Sequence, residues 1–153
     1  MSKRIAVIGI GNTLRRDDGI GIIVLESLLK FYKRQGIDYL NFGVATFDLL
    51  HRIRDYDTVL LIDGVRADLP VGELKIFELA NLKYYPDNLT TSTHGLNLKD
   101  IFELAKKIAL KTKIYVALIQ INDLSYGEGL SNILKDKQQE ITKQISLFID
   151  KIF

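Results

Sequence analysis

The fold is decided by the stretch Gly9-Ile10-Gly11-Asn12-Thr13-Leu14-Arg15-Arg16-Asp17-Asp18-Gly19-Ile20-Gly21. It follows an apolar run that predicts a strand over 4–8, and it leads directly into a helical pattern over 20–33. Gly9 and Gly11 permit a tight turn and a close approach of the backbone. We therefore expect the carboxylates of Asp17 and Asp18 to lie in the loop between the end of this strand and the start of the helix.

Outside this loop, runs rich in β-branched residues alternate with helical periods, which is typical of an α/β fold. Pro70 and two glycines precede the fourth strand, so we expect that strand to return antiparallel at an edge. Strands are predicted over 4–8, 37–42, 58–62, 73–79 and 114–121. Helices are predicted over 20–33 and 97–109, in a short segment carrying Phe47, Leu50 and Ile53 with Thr46 as its cap, and after the expected N-cap Ser131.

These elements predict the fold class α/β, as a single-domain three-layer sandwich over residues 1–153. Its centre is a five-stranded, mostly parallel twisted sheet with one antiparallel edge strand, and helices cover both faces. The apolar run near the N-terminus is too short for a membrane span or a signal-peptide core, so we expect a cytoplasmic protein and no membrane partner.

The composition narrows the chemistry. The 153 residues include no cysteine, which excludes disulfides, thiolate nucleophiles and cysteine-type metal sites. Any catalysis or metal binding must therefore use oxygen and imidazole groups. The formal net charge is only +2, with basic and acidic residues interleaved, so nucleic acid is not expected as a partner.

Three polar side chains are expected at one edge of the sheet. Asp18 lies in the first loop, Asp63 ends the apolar run 58–62, and His94 precedes the helix predicted over 97–109. In an open α/β sheet, ligands bind beyond the carboxyl ends of the parallel strands. Carboxylates with one imidazole suit a divalent transition ion, and the spacing leaves nickel, zinc, cobalt and manganese open.

Each of these residues also has a structural interpretation. Asp17 or Asp18 could cap the first helix, Asp63 before Gly64 could start a turn, and His94 could be a loop residue with a satisfied hydrogen bond. The convergence of all three on one edge favours a site.

A dinucleotide-binding oxidoreductase is a weaker alternative. Leu14 occupies the position of the third glycine in the G-x-G-x-x-G pattern, and the second strand ends in Asn41-Phe42 without the acidic residue that would bind a ribose.

The pattern G-x-G-N-x-L-x-x-D-D-G-x-G, the strand ending in Asp63 and the segment T-T-S-T-H ending at His94 resemble the hydrogenase maturation endopeptidases. That family trims the large subunit of nickel-iron hydrogenases, and the similarity spans nearly the whole chain. The resemblance implies that Asp18, Asp63 and His94 are both the nickel-contacting and the catalytic residues. It implies that the nickel is carried by the substrate, a hydrogenase large-subunit precursor, and that the protease itself holds no permanent cofactor.

Two segments depart from the family pattern. Gly43-Val44-Ala45-Thr46 stands where the family often has G-T-x-G, and Gln120-Ile121-Asn122-Asp123 lacks a proline that is common there. Neither change removes a proposed ligand. A nonproteolytic nickel-binding assembly factor for hydrogenase would retain the same three residues, and it remains the alternative function.

Overall fold

A five-stranded sheet forms the centre of the computed structural model, which describes residues 2–44, 48–89 and 97–153. The strand order is β2-β1-β3-β5-β4. Four strands are parallel, and β4 pairs antiparallel with β5 at the edge, which confirms the predicted fold class. The strands are β1 (Ile5–Gly9), β2 (Ile37–Asn41), β3 (Thr58–Val65), β4 (Leu74–Glu78) and β5 (Lys113–Gln120).

Helices cover both faces of this sheet. Alternate strand residues point to opposite sides, so Ile8 and Leu61 belong to one apolar cluster while Val7 and Leu60 belong to the other. The first cluster includes residues of α2 and α3, and the second includes residues of α1 and α4. The helices are α1 (Ile20–Phe31), α2 (Leu49–Ile53), α3 (Leu98–Lys107) and α4 (Asn132–Ile152), with 3₁₀ helices at Arg16–Gly19, Leu79–Tyr84 and Asp87–Leu89.

The central strand β3 is longer than predicted. It lies between β1 and β5, and all eight of its residues are buried. The apolar run ends at Ile62, but β5 continues the pairing as far as Val65. Asp63 therefore lies inside a strand, paired in register with Leu118, and the interpretation of Asp63 as the start of a turn is wrong.

The predicted helix boundaries were right at most starts and less accurate at the ends. Asn97 caps α3 by accepting a hydrogen bond from the Lys99 backbone nitrogen at 2.9 Å. Ser131 is the N-cap residue of α4 by position, but its side chain makes no capping bond, contrary to expectation. Thr46, Phe47 and His94 lie outside the described residues. Within the described chain, no helix is both long and apolar enough to cross a membrane.

Candidate active site

The loop after β1 continues along the carboxyl edge of the sheet. The backbone nitrogen of Ile10 donates to the Ile62 carbonyl at 2.9 Å, and that of Gly11 donates to the Gly43 carbonyl at 2.7 Å. The loop is thus held between the end of β3 on one side and the turn after β2 on the other. This arrangement is the one expected for a ligand site in a parallel sheet.

Asp18 is fixed by the turn that carries it. It lies in the 3₁₀ helix Arg16–Gly19 and is 1% exposed. The Asn12 backbone nitrogen donates to both the Asp18 carbonyl and the Asp18 Oδ2, each at 3.2 Å. A Cβ on Gly11, which has φ +153°, would lie 2.1 Å from the Asp18 carbonyl oxygen, so only glycine allows the loop to close this tightly.

Asp63 reaches the same edge from β3. It is 2% exposed, and its Oδ1 accepts a hydrogen bond from the Gly64 backbone nitrogen at 2.8 Å. A Cβ on Gly64 would lie 3.7 Å from the Asp17 carbonyl oxygen and 3.3 Å from Ile20 Cγ2. The end of β3 therefore packs against the turn that carries Asp18, and two buried carboxylates lie on neighbouring segments.

The third predicted ligand, His94, is outside the described residues. Within the described ranges, no group of three or more histidine, cysteine, aspartate or glutamate side chains could hold a metal ion. The described part of the chain thus supplies Asp18 and Asp63, and the predicted triad depends on His94 for its imidazole.

Gln120 organises the residues that follow β3, a role that its place in the sequence did not predict. The side chain is 6% exposed. Its Oε1 accepts hydrogen bonds from the backbone nitrogens of Ala67 at 2.8 Å and Leu69 at 3.2 Å, and its Nε2 donates to the Ile121 carbonyl at 2.8 Å. Asn88 in turn donates to the Ala67 carbonyl at 3.0 Å. The sequence signal for this role was an amide side chain at the end of β5, directly after a run of apolar residues.

Asp17 ties distant segments together and caps no helix. Its carboxylate is completely buried. It accepts hydrogen bonds from the backbone nitrogens of Asn122 at 3.0 Å, Asp123 at 2.9 Å and Ser131 at 2.6 Å, and from the Ser131 hydroxyl at 2.8 Å. Since α1 begins after Gly19 without a side-chain cap, the helix-capping interpretation is wrong. Asp17 instead holds the loop after β5 and the start of α4 against the Asp18 turn.

The loop after β5 carries a second organised carboxylate. Asp123 Oδ1 accepts hydrogen bonds from the Ser125 hydroxyl at 2.7 Å and the Ser125 backbone nitrogen at 2.8 Å. These bonds, with a smaller contribution from the nearby Arg16 guanidinium, hold the pKa of Asp123 below its ordinary value. Arg16 Nε lies 3.8 Å from Asp123 Oδ2, so this loop is ordered by charge as well as by Asp17.

The sequence model of the HycI hydrogenase maturation protease family matches residues 22–147. The chain belongs to this family. Hydrogenase maturation proteases are hydrolases, and the match covers the sheet from β2 onward, all of α2 and α3, and most of α1 and α4.

Curated relatives of the family support the assignment. A Methanocaldococcus jannaschii protein that carries a provisional name as a hydrogenase maturation protease is 31% identical over 77% of this chain and 72% of its own length. The hydrogenase expression/formation protein HupD of Thiocapsa roseopersicina is 24% identical over 95% of this chain and 66% of its own length. The chain thus spans about two thirds to three quarters of the length of these two relatives.

Solved structures of hydrogenase maturation proteases share the fold. The HycI protease of Thermococcus kodakarensis superposes with a TM-score of 0.74 at 25% identity, over 97% of this chain and 93% of that chain. The hydrogenase maturating endopeptidase HybD of Escherichia coli superposes with a TM-score of 0.76 at 22% identity, over 93% of this chain and 89% of that chain.

Proposed function

We propose that this protein is an endopeptidase that removes the C-terminal extension of a nickel-loaded [NiFe]-hydrogenase large-subunit precursor. The observation that carries the proposal is the pair of carboxylates of Asp18 and Asp63, which are 1% and 2% exposed at one edge of the sheet. Membership of the hydrogenase maturation protease family supports the reaction class. The nickel is part of the substrate, and it serves as the element by which the protease recognises a finished precursor.

The chemistry of the two carboxylates suits this role. Carboxylate oxygens are ligands for divalent cations, and an ion that arrives with the substrate would meet two of these groups at this edge of the sheet. Asp18, Asp63 and His94 would contact the ion together, as the family resemblance implies. A carboxylate at this position can also accept a proton from a water molecule that attacks the scissile peptide bond. Cleavage would then follow only when the precursor carries its metal.

The experiment that tests the proposal is intact-mass spectrometry of a large-subunit precursor, nickel-loaded or nickel-free, after incubation with this protein. The wild type should release a C-terminal peptide only from the nickel-loaded precursor. Asp18→Asn, Asp63→Asn and His94→Ala should release none while keeping the far-ultraviolet circular dichroism of the wild type. The matched control is Asp55→Asn, which makes the same carboxylate-to-amide change at an exposed position and should cleave normally.

The outcomes separate the two functions. Cleavage of nickel-free precursor, or full activity in Asp63→Asn, would contradict the proposed metal-gated protease. An unchanged precursor mass despite measurable binding to the wild type would favour the nonproteolytic assembly factor.

A further inference from the structure

Three side chains form a ledge beside the candidate site: the exposed Leu14 and Tyr126 and the half-buried Arg15. Leu14 is 60% exposed and Tyr126 is 85% exposed. The guanidinium carbon of Arg15 lies 5.7 Å from the centre of the Tyr126 ring, within the range of a cation-π contact. The ledge is continuous with the site because the Asp18 backbone nitrogen donates to the Arg15 carbonyl at 3.0 Å.

The backbone beneath the ledge is held in place by hydrogen bonds between two loops. The Gly127 nitrogen donates to the Leu14 carbonyl at 2.9 Å, and the Arg16 nitrogen donates to the Gly127 carbonyl at 3.0 Å. Arg15 Nε adds a bond to the Leu124 carbonyl at 3.2 Å. The ledge therefore presents large side chains to solvent from an ordered backbone, and an ordered surface loses less conformational entropy when a partner binds.

The backbone beneath the ledge is strained at Arg16. Its φ is +39°, a region that residues other than glycine rarely adopt. Backbone strain of this kind persists only where surrounding contacts enforce it, and it concentrates at functional sites. The contacts of Arg16 that hold it here are the hydrogen bond from its backbone nitrogen to the Gly127 carbonyl and the ion pair with Asp123.

We infer that the ledge is the surface on which the folded, nickel-loaded large-subunit precursor docks, an inference that rests on the proposed function. Asp18 and Asp63 are almost fully buried, so a precursor that brings its metal to them has to contact the loop that carries Asp18. Leu14 lies four residues before Asp18 on that loop. Tyrosine and arginine, represented here by Tyr126 and Arg15, are also enriched among the residues that contribute most to binding at protein interfaces.

The test compares two double variants that remove similar exposed side chains. The ledge variant is Leu14→Ala with Tyr126→Ala. The control is Leu147→Ala with Phe31→Ala, whose side chains are 59% and 66% exposed. Phe31 ends α1, about 17 Å along the helix from its first residue beside the site, and Leu147 lies about 22 Å along α4 from its start. Arg15 is left unchanged because it also bonds to Leu124.

Binding is measured by calorimetry and processing by intact mass, with each nickel-loaded large-subunit precursor of the source organism as the probe. The ledge variant should raise the Kd and the KM at least about tenfold, a 1.4 kcal/mol loss, with kcat at saturation unchanged. The control should stay within about twofold of the wild type on every measure. A merely structural role would lower kcat through loss of folded protein and would leave KM unchanged.

The inference and the proposed function can fail separately. If the ledge variant has the same Kd and KM as the wild type, the proposed docking surface is contradicted and the protease function stands. If the wild type binds without cleaving, the protease function is wrong, and the Kd of the ledge variant still decides the docking surface. If the wild type binds no precursor, both are overturned.

Discussion

At the scale of single residues, two adjacent aspartates have different tasks. Asp18 lies beside the loop backbone at the sheet edge, whereas the carboxylate of Asp17 accepts four hydrogen bonds from Asn122, Asp123 and Ser131. Three of those donors are backbone nitrogens, and backbone donors left without an acceptor on burial are costly. The hydrogen bonds that Asp17 accepts therefore satisfy buried backbone nitrogens and also order the loop beside Asp18.

Asp17→Asn should lower the free energy of unfolding by about 2–4 kcal/mol. The NH₂ group of asparagine cannot accept a hydrogen bond as the replaced carboxylate oxygen does, so buried backbone nitrogens would be left without an acceptor. Urea denaturation followed by circular dichroism measures the loss. Asp136→Asn, an equivalent change at an exposed position of α4, should stay within about 0.5 kcal/mol of the wild type. Equal midpoints for wild type and Asp17→Asn would show that Asp17 contributes nothing to stability.

At the scale of elements, α1 packs onto the sheet more closely than side chains normally permit. A Cβ on Gly21 would lie 2.2 Å from the Ile10 carbonyl oxygen and 2.4 Å from the Ile62 carbonyl oxygen. A Cβ on Gly9 would in turn lie 2.7 Å from the Gly21 carbonyl oxygen. The absence of a side chain at Gly9 and Gly21 therefore permits the short distance between α1 and the sheet.

Gly21→Ala should cost at least about 3 kcal/mol of stability, because the added methyl group meets backbone oxygens that cannot rotate away. Thermal and urea denaturation give the size of the effect. Gly36→Ala is the control. Gly36 has φ +83° and open space around its Cα, so this change should cost only the left-handed backbone penalty of about 1–2 kcal/mol. A Gly21→Ala variant as stable as the Gly36→Ala variant would contradict the packing argument.

At the scale of the whole molecule, α4 is attached at both ends. Its start is held by Asp17 through Ser131. The C-terminal part of α4 is held by Arg34. Its guanidinium donates to the Ser146 carbonyl at 3.0 Å, to the Ser146 hydroxyl at 2.9 Å and to Asp150 Oδ1 at 2.5 Å. The two attachments are about 20 Å or more apart along the helix. Disturbing the Arg34 end should therefore change stability while leaving the candidate site intact.

The Arg34 attachment makes stability depend on pH. The hydrogen bond from Arg34 lowers the pKa of Asp150 below its ordinary value of 3.8. A lowered pKa in the folded state gives stability that is complete above the ordinary pKa and is lost as the pH falls through the folded-state pKa. Asp150→Asn should therefore melt at a lower temperature than the wild type at pH 7, and this difference should shrink at about pH 2.

Thermal denaturation at both pH values measures this prediction, with precursor processing at pH 7 as a second measurement. Processing per folded molecule should be unchanged, because Asp150 lies far from the Asp18 turn. A melting difference that persists at low pH would mean that Asp150 acts by packing and not by charge.

The sequence alone determined the fold class and the place of two proposed site residues. The spacing of apolar residues within a short segment indicates whether it forms a strand or a helix, so the alternation of strands and helices was predictable from the sequence. Asp18 and Asp63 were expected at one edge because parallel strands end there. The structure puts both at that edge, with their side chains buried. Their contact with nickel stays a prediction, as does the role of His94.

Only the tertiary structure decided which partners these segments have. The strand order, the extension of β3 to Val65 through its pairing with β5, and the attachment of Ser131 to Asp17 all depend on residues brought together from distant parts of the chain. Asp17 and Ser131 are separated by 114 positions. A local pattern records what each segment can form by itself, whereas a hydrogen bond between such distant residues exists only after the sheet and helices have packed.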